Sequence, residues 1–180
     1  MTLIKYITAL IIGLLMMSCN SDTSLQRYLV DKQEDDRYLK IDLATSLLQS
    51  DESTFTEDEQ EILNTVKKVN VVAYPIKNGD AAEYEAEMAR VDKIIGQEKY
   101  KTLMSSKSNG MSVTLKYLGE EQAIDEVIVF ASSPEKGFGV FRLLCDDMRP
   151  DQVMKLTNSI QKGDLDVSKL SGIGDIFENM

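Results

Sequence analysis

The dipeptide Asn109-Gly110, set between two alternating segments, constrains the fold more than any other feature of this chain. Both residues of a two-residue hairpin turn must tolerate positive φ, so the pair predicts antiparallel strands over 100–107 and 111–118. In the second segment Met111, Val113, Leu115 and Tyr117 alternate with Ser112, Thr114 and Lys116, which predicts one face on a core and the other toward solvent. A turn over 119–122 leads to a third strand at 124–131, and a turn over 132–137 leads to a fourth at 138–145.

The elements before this meander carry their own signals. Leu25, Tyr28 and Leu29 share one face of a short helix, which the acidic cluster Glu34, Asp35, Asp36 ends. Over 37–43, Leu39, Ile41 and Leu43 alternate with Tyr38, Lys40 and Asp42, predicting a half-buried strand. Thr56 with Glu59 forms a capping box that opens a helix with Ile62, Leu63, Val66 and Val69 on one side. The near-continuous apolar run over 69–76, stopped by Pro75, predicts a strand covered on both faces and central in its sheet.

A second capping box, Asp80 with Glu83, starts a helix in which Tyr84, Met88, Val91 and Ile95 recur at helical spacing until Gly96. Such a stripe is read as core rather than as a cofactor site. Pro150 serves as the first residue of a last helix, with Val153, Leu156, Thr157 and Ile160 on one side and Gly163 closing it. The element order predicts an α+β fold: a mainly antiparallel sheet of about six strands with helices packed on one face.

Residues 1–18 resemble a bacterial lipoprotein signal peptide. Lys5 precedes an apolar stretch over 7–17, and Ser18 stands directly before Cys19. The stretch is shorter than the roughly 20 residues a spanning helix needs, and its basic front and small-residue end are those of a cleaved signal. Cys19 is the expected lipidation site, with acyl chains as a stable membrane attachment. The predicted organisation is a signal at 1–18, a tether at 19–24, one α+β domain at 25–163 and a loosely packed tail at 164–180.

Composition removes several function classes. The chain carries a net charge of −10, and the segment at 1–18 holds one base and no acid, so the remainder is more acidic still. That balance argues against nucleic acid and against anionic headgroups. There is no histidine, which removes Ser-His and Cys-His pairs, imidazole bases and every zinc site that uses histidine. With Cys19 acylated, Cys145 is the sole remaining thiol, and its alternation with Phe141 and Leu143 predicts a buried, inert group.

Short motifs weigh little. Ser133-Pro134-Glu135-Lys136 matches S-x-x-K but lies in a turn and lacks both partner motifs. Gly172-Ile173-Gly174 is half of a nucleotide fingerprint with no preceding strand, and reads as loop. Asp164, Asp166, Ser168 and Asp175 have the spacing of calcium-loop ligands, but Lys169 stands where the loop needs glycine. The pairs Asp146-Asp147 and Glu120-Glu121 are adjacent residues, on opposite strand faces or in solvated turns, and share no substrate position.

Taken with the lipoprotein-like start, the strand at 38–43, the helix-strand unit ending Val69-Asn70-Val71-Val72-Ala73-Tyr74, the helix from Asp80, the Asn109-Gly110 meander and the tail Leu165-Asp166-Val167-Ser168-Lys169-Leu170 resemble the small Bacteroidetes lipoproteins of the domain of unknown function 4252 family. The resemblance implies an exported, lipid-anchored, non-catalytic domain with a setting in envelope signalling, and it supplies no catalytic residues. The expectation is an outer-membrane lipoprotein on the periplasmic side, since no acidic cluster follows Cys19 directly. Its expected partners are the membrane, through the acyl chains on Cys19, and an envelope protein. No cofactor and no metal are expected. A carboxylate-dependent hydrolase acting on glycan is the alternative.

Overall fold

The structure is a computed structural model that describes residues 24–44, 56–76, 81–108 and 110–162. The element order is α1 (Leu25–Asp31), a 3-10 turn (Lys32–Glu34), β1 (Leu39–Ala44), α2 (Glu57–Thr65), β2 (Val66–Pro75), α3 (Ala81–Ile95), β3 (Lys101–Ser108), β4 (Met111–Glu120), β5 (Ala123–Ser133), β6 (Gly137–Met148) and α4 (Pro150–Lys162). Six strands form one antiparallel sheet in the order β1-β2-β6-β5-β4-β3, so the α+β class and the strand count are as expected.

Local chemistry sets the ends of these elements. The Ser24 hydroxyl accepts from the backbone N–H of Arg27 and caps α1. At α2 the Thr56 hydroxyl accepts from the Glu59 N–H while the Glu59 carboxylate accepts from the Thr56 N–H, so the capping box closes in both directions. Gly110 has φ 77, as the hairpin turn requires. Gly137 has φ 121, and a Cβ there would collide with the carbonyl of Tyr74, so this crossing of β6 and β2 admits only glycine.

The expected one-sided packing is replaced by two helix layers. Ile41, Val71, Phe141, Val129, Leu115 and Met104 lie across the six strands in one register row. This face packs with Ile62 of α2 and Val153 and Leu156 of α4. The opposite face presents Val72, Val140, Phe130 and Phe138 to Leu25, Tyr28 and Leu29 of α1 and to Tyr84, Val91, Ile94 and Ile95 of α3. The physical reason is that β2, β5 and β6 are apolar at successive positions and need cover on both sides. β2 is inside the sheet between β1 and β6, as its apolar run predicts.

Other differences are local. α2 ends at Thr65, and Val66 and Val69 belong to β2 rather than to the helix. Tyr38, expected on the outward face, is buried among Tyr74 and Phe138, because the aromatic side of the sheet is itself covered. Met111, expected in the core, is 43% exposed at the hairpin tip, beyond the reach of either helix layer. Gly119 and Glu120 extend β4, and β6 runs three residues further than read, past Asp147, whose φ is 50. Asp80, Asn109, Gly163, Cys19 and residues 164–180 lie outside the described residues.

Candidate functional site

Charge enters the aromatic face at two places, both beneath α1. In the first, Lys32 is buried directly after α1, its ammonium 2.9 Å from the Glu87 carboxylate of α3. The same ammonium lies 5.5 Å from the ring centroid of Tyr28 and 4.7 Å from that of Tyr38. The Tyr28 hydroxyl donates to Glu87 at 3.0 Å. Burial alone would push the Glu87 carboxyl up, but Lys32 and the tyrosine hydroxyls outweigh it and hold the pKa below its ordinary value. Burial raises the Tyr28 and Tyr38 phenols, so both stay protonated.

The second charged pair sits in the sheet itself. Arg142 of β6 meets Glu126 of β5 at 2.8 Å, with side chains 10% and 8% exposed. Arg142 also donates to the Gln26 side chain of α1. One Glu126 oxygen, Oε1, and the Arg142 Nε are buried without a hydrogen-bond partner among the described residues. The pair is therefore held by charge attraction with incomplete hydrogen bonding, a costly arrangement in a dry interior. Tyr100 stands beside it, and burial pushes its phenol up to about 12.

A cavity of about 350 Å³ opens where α1 meets the β1–β2 pair, lined by Leu29, Gln33, Lys40, Ile41, Asp42 and Asn70 among others. Its charged groups are already engaged. Lys40 donates to the Gln33 carbonyl, and Asp42 accepts from Asn70 and Lys68. The cavity thus has one carboxylate, spoken for by two neighbours.

The residues singled out in the sequence are scattered. Cys145 is 6% exposed in the aliphatic core, and burial pushes its thiol up to about 12, so it is the buried group predicted. Ser133 ends β5, two residues past the expected strand end, and its hydroxyl accepts from the Glu135 N–H in the turn to β6. Asp146 pairs with Lys67 across the strands, and Glu120 ends β4. Cys19, Gly172, Gly174, Asp164, Asp166, Ser168 and Asp175 lie outside the described residues. The described residues bring together no group of three or more metal-ligating side chains. No helix among them is long and apolar enough to cross a membrane.

Sequence reasoning missed both charge pairs beneath α1, the buried Arg142–Glu126 and the partly buried Lys32–Glu87. A signal existed: Glu126 and Arg142 interrupt otherwise apolar strand runs, and a charge at such a position needs a partner across the strands.

Together these features define an α+β fold whose six-stranded antiparallel sheet lies between two helix layers. The family model for a domain of unknown function, DUF4252, matches residues 28–156, and the chain belongs to that family. Neither the curated proteins nor the solved structures give a match.

Proposed function

We propose that this chain is a lipid-anchored envelope protein whose domain acts as a non-enzymatic interaction or sensor module. Residues 1–18 are the signal, Cys19 carries the acyl chains, and the domain stands on the periplasmic side of the outer membrane. The junction Met16-Met17-Ser18-Cys19, ending a basic-then-apolar start, carries the reading. Residues 20–23 alone separate Cys19 in sequence from the capped start of α1 at Ser24, so the domain stands close to this anchor.

The interaction role is supported by how the carboxylates are spent. Glu126, Glu87, Glu83, Asp42 and Asp146 are each held by a cation of the same chain. A glycan hydrolase needs two facing carboxylates about 5–10 Å apart, and the cavity beside β1 offers Asp42 alone.

Metabolic labelling with palmitate tests the anchor. The purified chain is expected to incorporate label and to begin at Cys19, and Cys19→Ala is expected to abolish labelling and move the protein out of the membrane fraction. An unlabelled product that still begins at Met1 overturns the anchor. Crosslinking in intact envelopes tests the interaction role: a discrete, reproducible adduct is expected, and its absence under several growth conditions counts against it. Digestion by protease on unlysed cells would contradict the periplasmic side.

A further inference from the structure

The geometry points to the edge strand β3 as the docking site, taking an added strand from an acidic, extended segment of a partner protein; this deepens the interaction reading above and rests on it. β3 is the last strand of the sheet order, so among the described residues no strand lies on its outer side. Of its eight residues six are exposed, all but Leu103 and Met104. Ser108 and Met111 close a two-residue turn, so alternation of the ladder leaves the N–H and C=O of Ser105 and Lys107 turned away from β4. Those groups are the template for strand addition. The opposite edge, β1, has six residues, of which three are half-buried and one is buried.

Charge specifies the partner. From Lys99 to Gly119 the sequence holds Lys99, Lys101, Lys107 and Lys116 and no Asp or Glu, in a chain of 30 acidic and 20 basic residues. Among the described residues none of these lysines has a carboxylate within ion-pairing distance, whereas Lys32, Lys67, Lys68 and Lys155 each do. Lys101 lies over the Tyr117 ring and donates to the Gly119 carbonyl, and Lys116 donates to the Ile95 carbonyl with the Asp92 carboxylate near it, so both stems are held in place and neither forms a salt bridge among the described residues. Lysines on an edge deter copies of the same strand, because like charges then meet across the new ladder. An acidic strand meets the opposite situation and is selected by the same residues.

The test measures binding of a fluorescent extended peptide of valine and glutamate, with glutamates on both strand faces and matched to the eight residues of β3, to the full-length chain in detergent. Saturable binding that weakens with added salt is expected, and a valine-lysine peptide is expected not to bind. Ser105→Pro, which removes an outward N–H, and separately Lys101→Glu with Lys107→Glu, are each expected to weaken binding by about tenfold or more. Circular dichroism checks that each variant folds, and the lysine pair keeps the test alive if the proline variant does not. Equal binding of a peptide with the same glutamates interrupted by proline would reduce the effect to charge attraction and overturn strand addition. No binding, or binding indifferent to both variants, overturns it too. Self-association in sedimentation velocity that Ser105→Pro removes would make the occupant a second copy and overturn the acidic partner. Palmitate labelling is unaffected by all these outcomes, so the anchor and the edge fail separately.

Discussion

The two faces of the sheet are built from different materials. The face under α2 and α4 is mainly aliphatic: Leu43, Val69, Val71, Leu115, Val127 and Val153 fill it beside Tyr117 and Phe141, and its buried Cys145 behaves as one more apolar group. The face under α1 and α3 is aromatic and wired. Phe138 has Tyr38, Tyr74, Tyr84 and Phe130 within 6.3 Å between ring centroids, and the Lys32–Glu87 and Arg142–Glu126 pairs lie at its margin. An aliphatic layer accepts any helix with the right volume, whereas a layer with buried charges accepts only the helix that carries the partners. α1 brings Gln26 to Arg142 and Tyr28 to Glu87, and Lys32 follows it directly. The helix nearest the proposed anchor is thus the one whose seating is most specific.

The largest effect expected from this contrast is at Phe138, which has 0% exposure. Phe138→Ala should cost about 3–5 kcal/mol in urea unfolding, because it removes the ring on which four others lean. Leu115→Ala on the aliphatic face should cost less, about 2–3 kcal/mol, since neighbours there can relax into the space. Equal losses would mean that the two layers are packed alike and the contrast is only one of composition.

The buried ion pair gives the next effect. Glu126→Ala leaves the Arg142 guanidinium buried without its carboxylate and should cost about 3 kcal/mol. Glu126→Leu combined with Arg142→Met should recover most of that loss, since an apolar pair of similar size needs no hydrogen bonds. A double variant as unstable as the single one would show that Arg142 acts mainly through Gln26, and that the pair serves to seat α1.

Much of this frame was legible in the sequence because its strongest signals are local. The Asn109-Gly110 turn, the Thr56–Glu59 box and Pro150 at the start of α4 each depend on backbone geometry within a few residues. The distribution of helices over two faces was less legible, since it depends on which strands become neighbours: β2 pairs with β6, far away in sequence, and only then do both of its faces need cover. Tyr38 was misread for the same reason. Its neighbours Tyr74 and Phe138 come from strands that no local pattern places beside it. Of the candidate sites, the buried state of Cys145 followed from alternation alone, while Glu87 gave no hint, because an acid on a helix normally faces water and this one is claimed by Lys32 from the end of α1.

The smallest effect expected is a dependence on acid, and it belongs to the aromatic face. Glu87 has its folded-state pKa held below the ordinary value of 4.5, so its unfolded form takes up a proton at higher pH than its folded form. The contribution of the carboxylate is therefore complete above about pH 4.5 and is lost as pH falls through the lower, folded value. Glu87→Gln should destabilise the chain at neutral pH, where Lys32 loses its counter-charge, and the gap from the parent chain should narrow below that point. Asp35, held at about 2 by the Arg37 guanidinium, adds a loss in the same direction, but its partner is exposed and salt screens the pair. Urea midpoints in low and high salt separate the two, because the half-buried Glu87 faces the buried Lys32 and its share should persist in salt, whereas Asp35 faces the exposed Arg37 and its share should fade. Parallel curves for the parent chain and Glu87→Gln across the acid range would place the charge on Lys32 in contact with water, and the aromatic face would then be no more demanding of α1 than the aliphatic face is of α4.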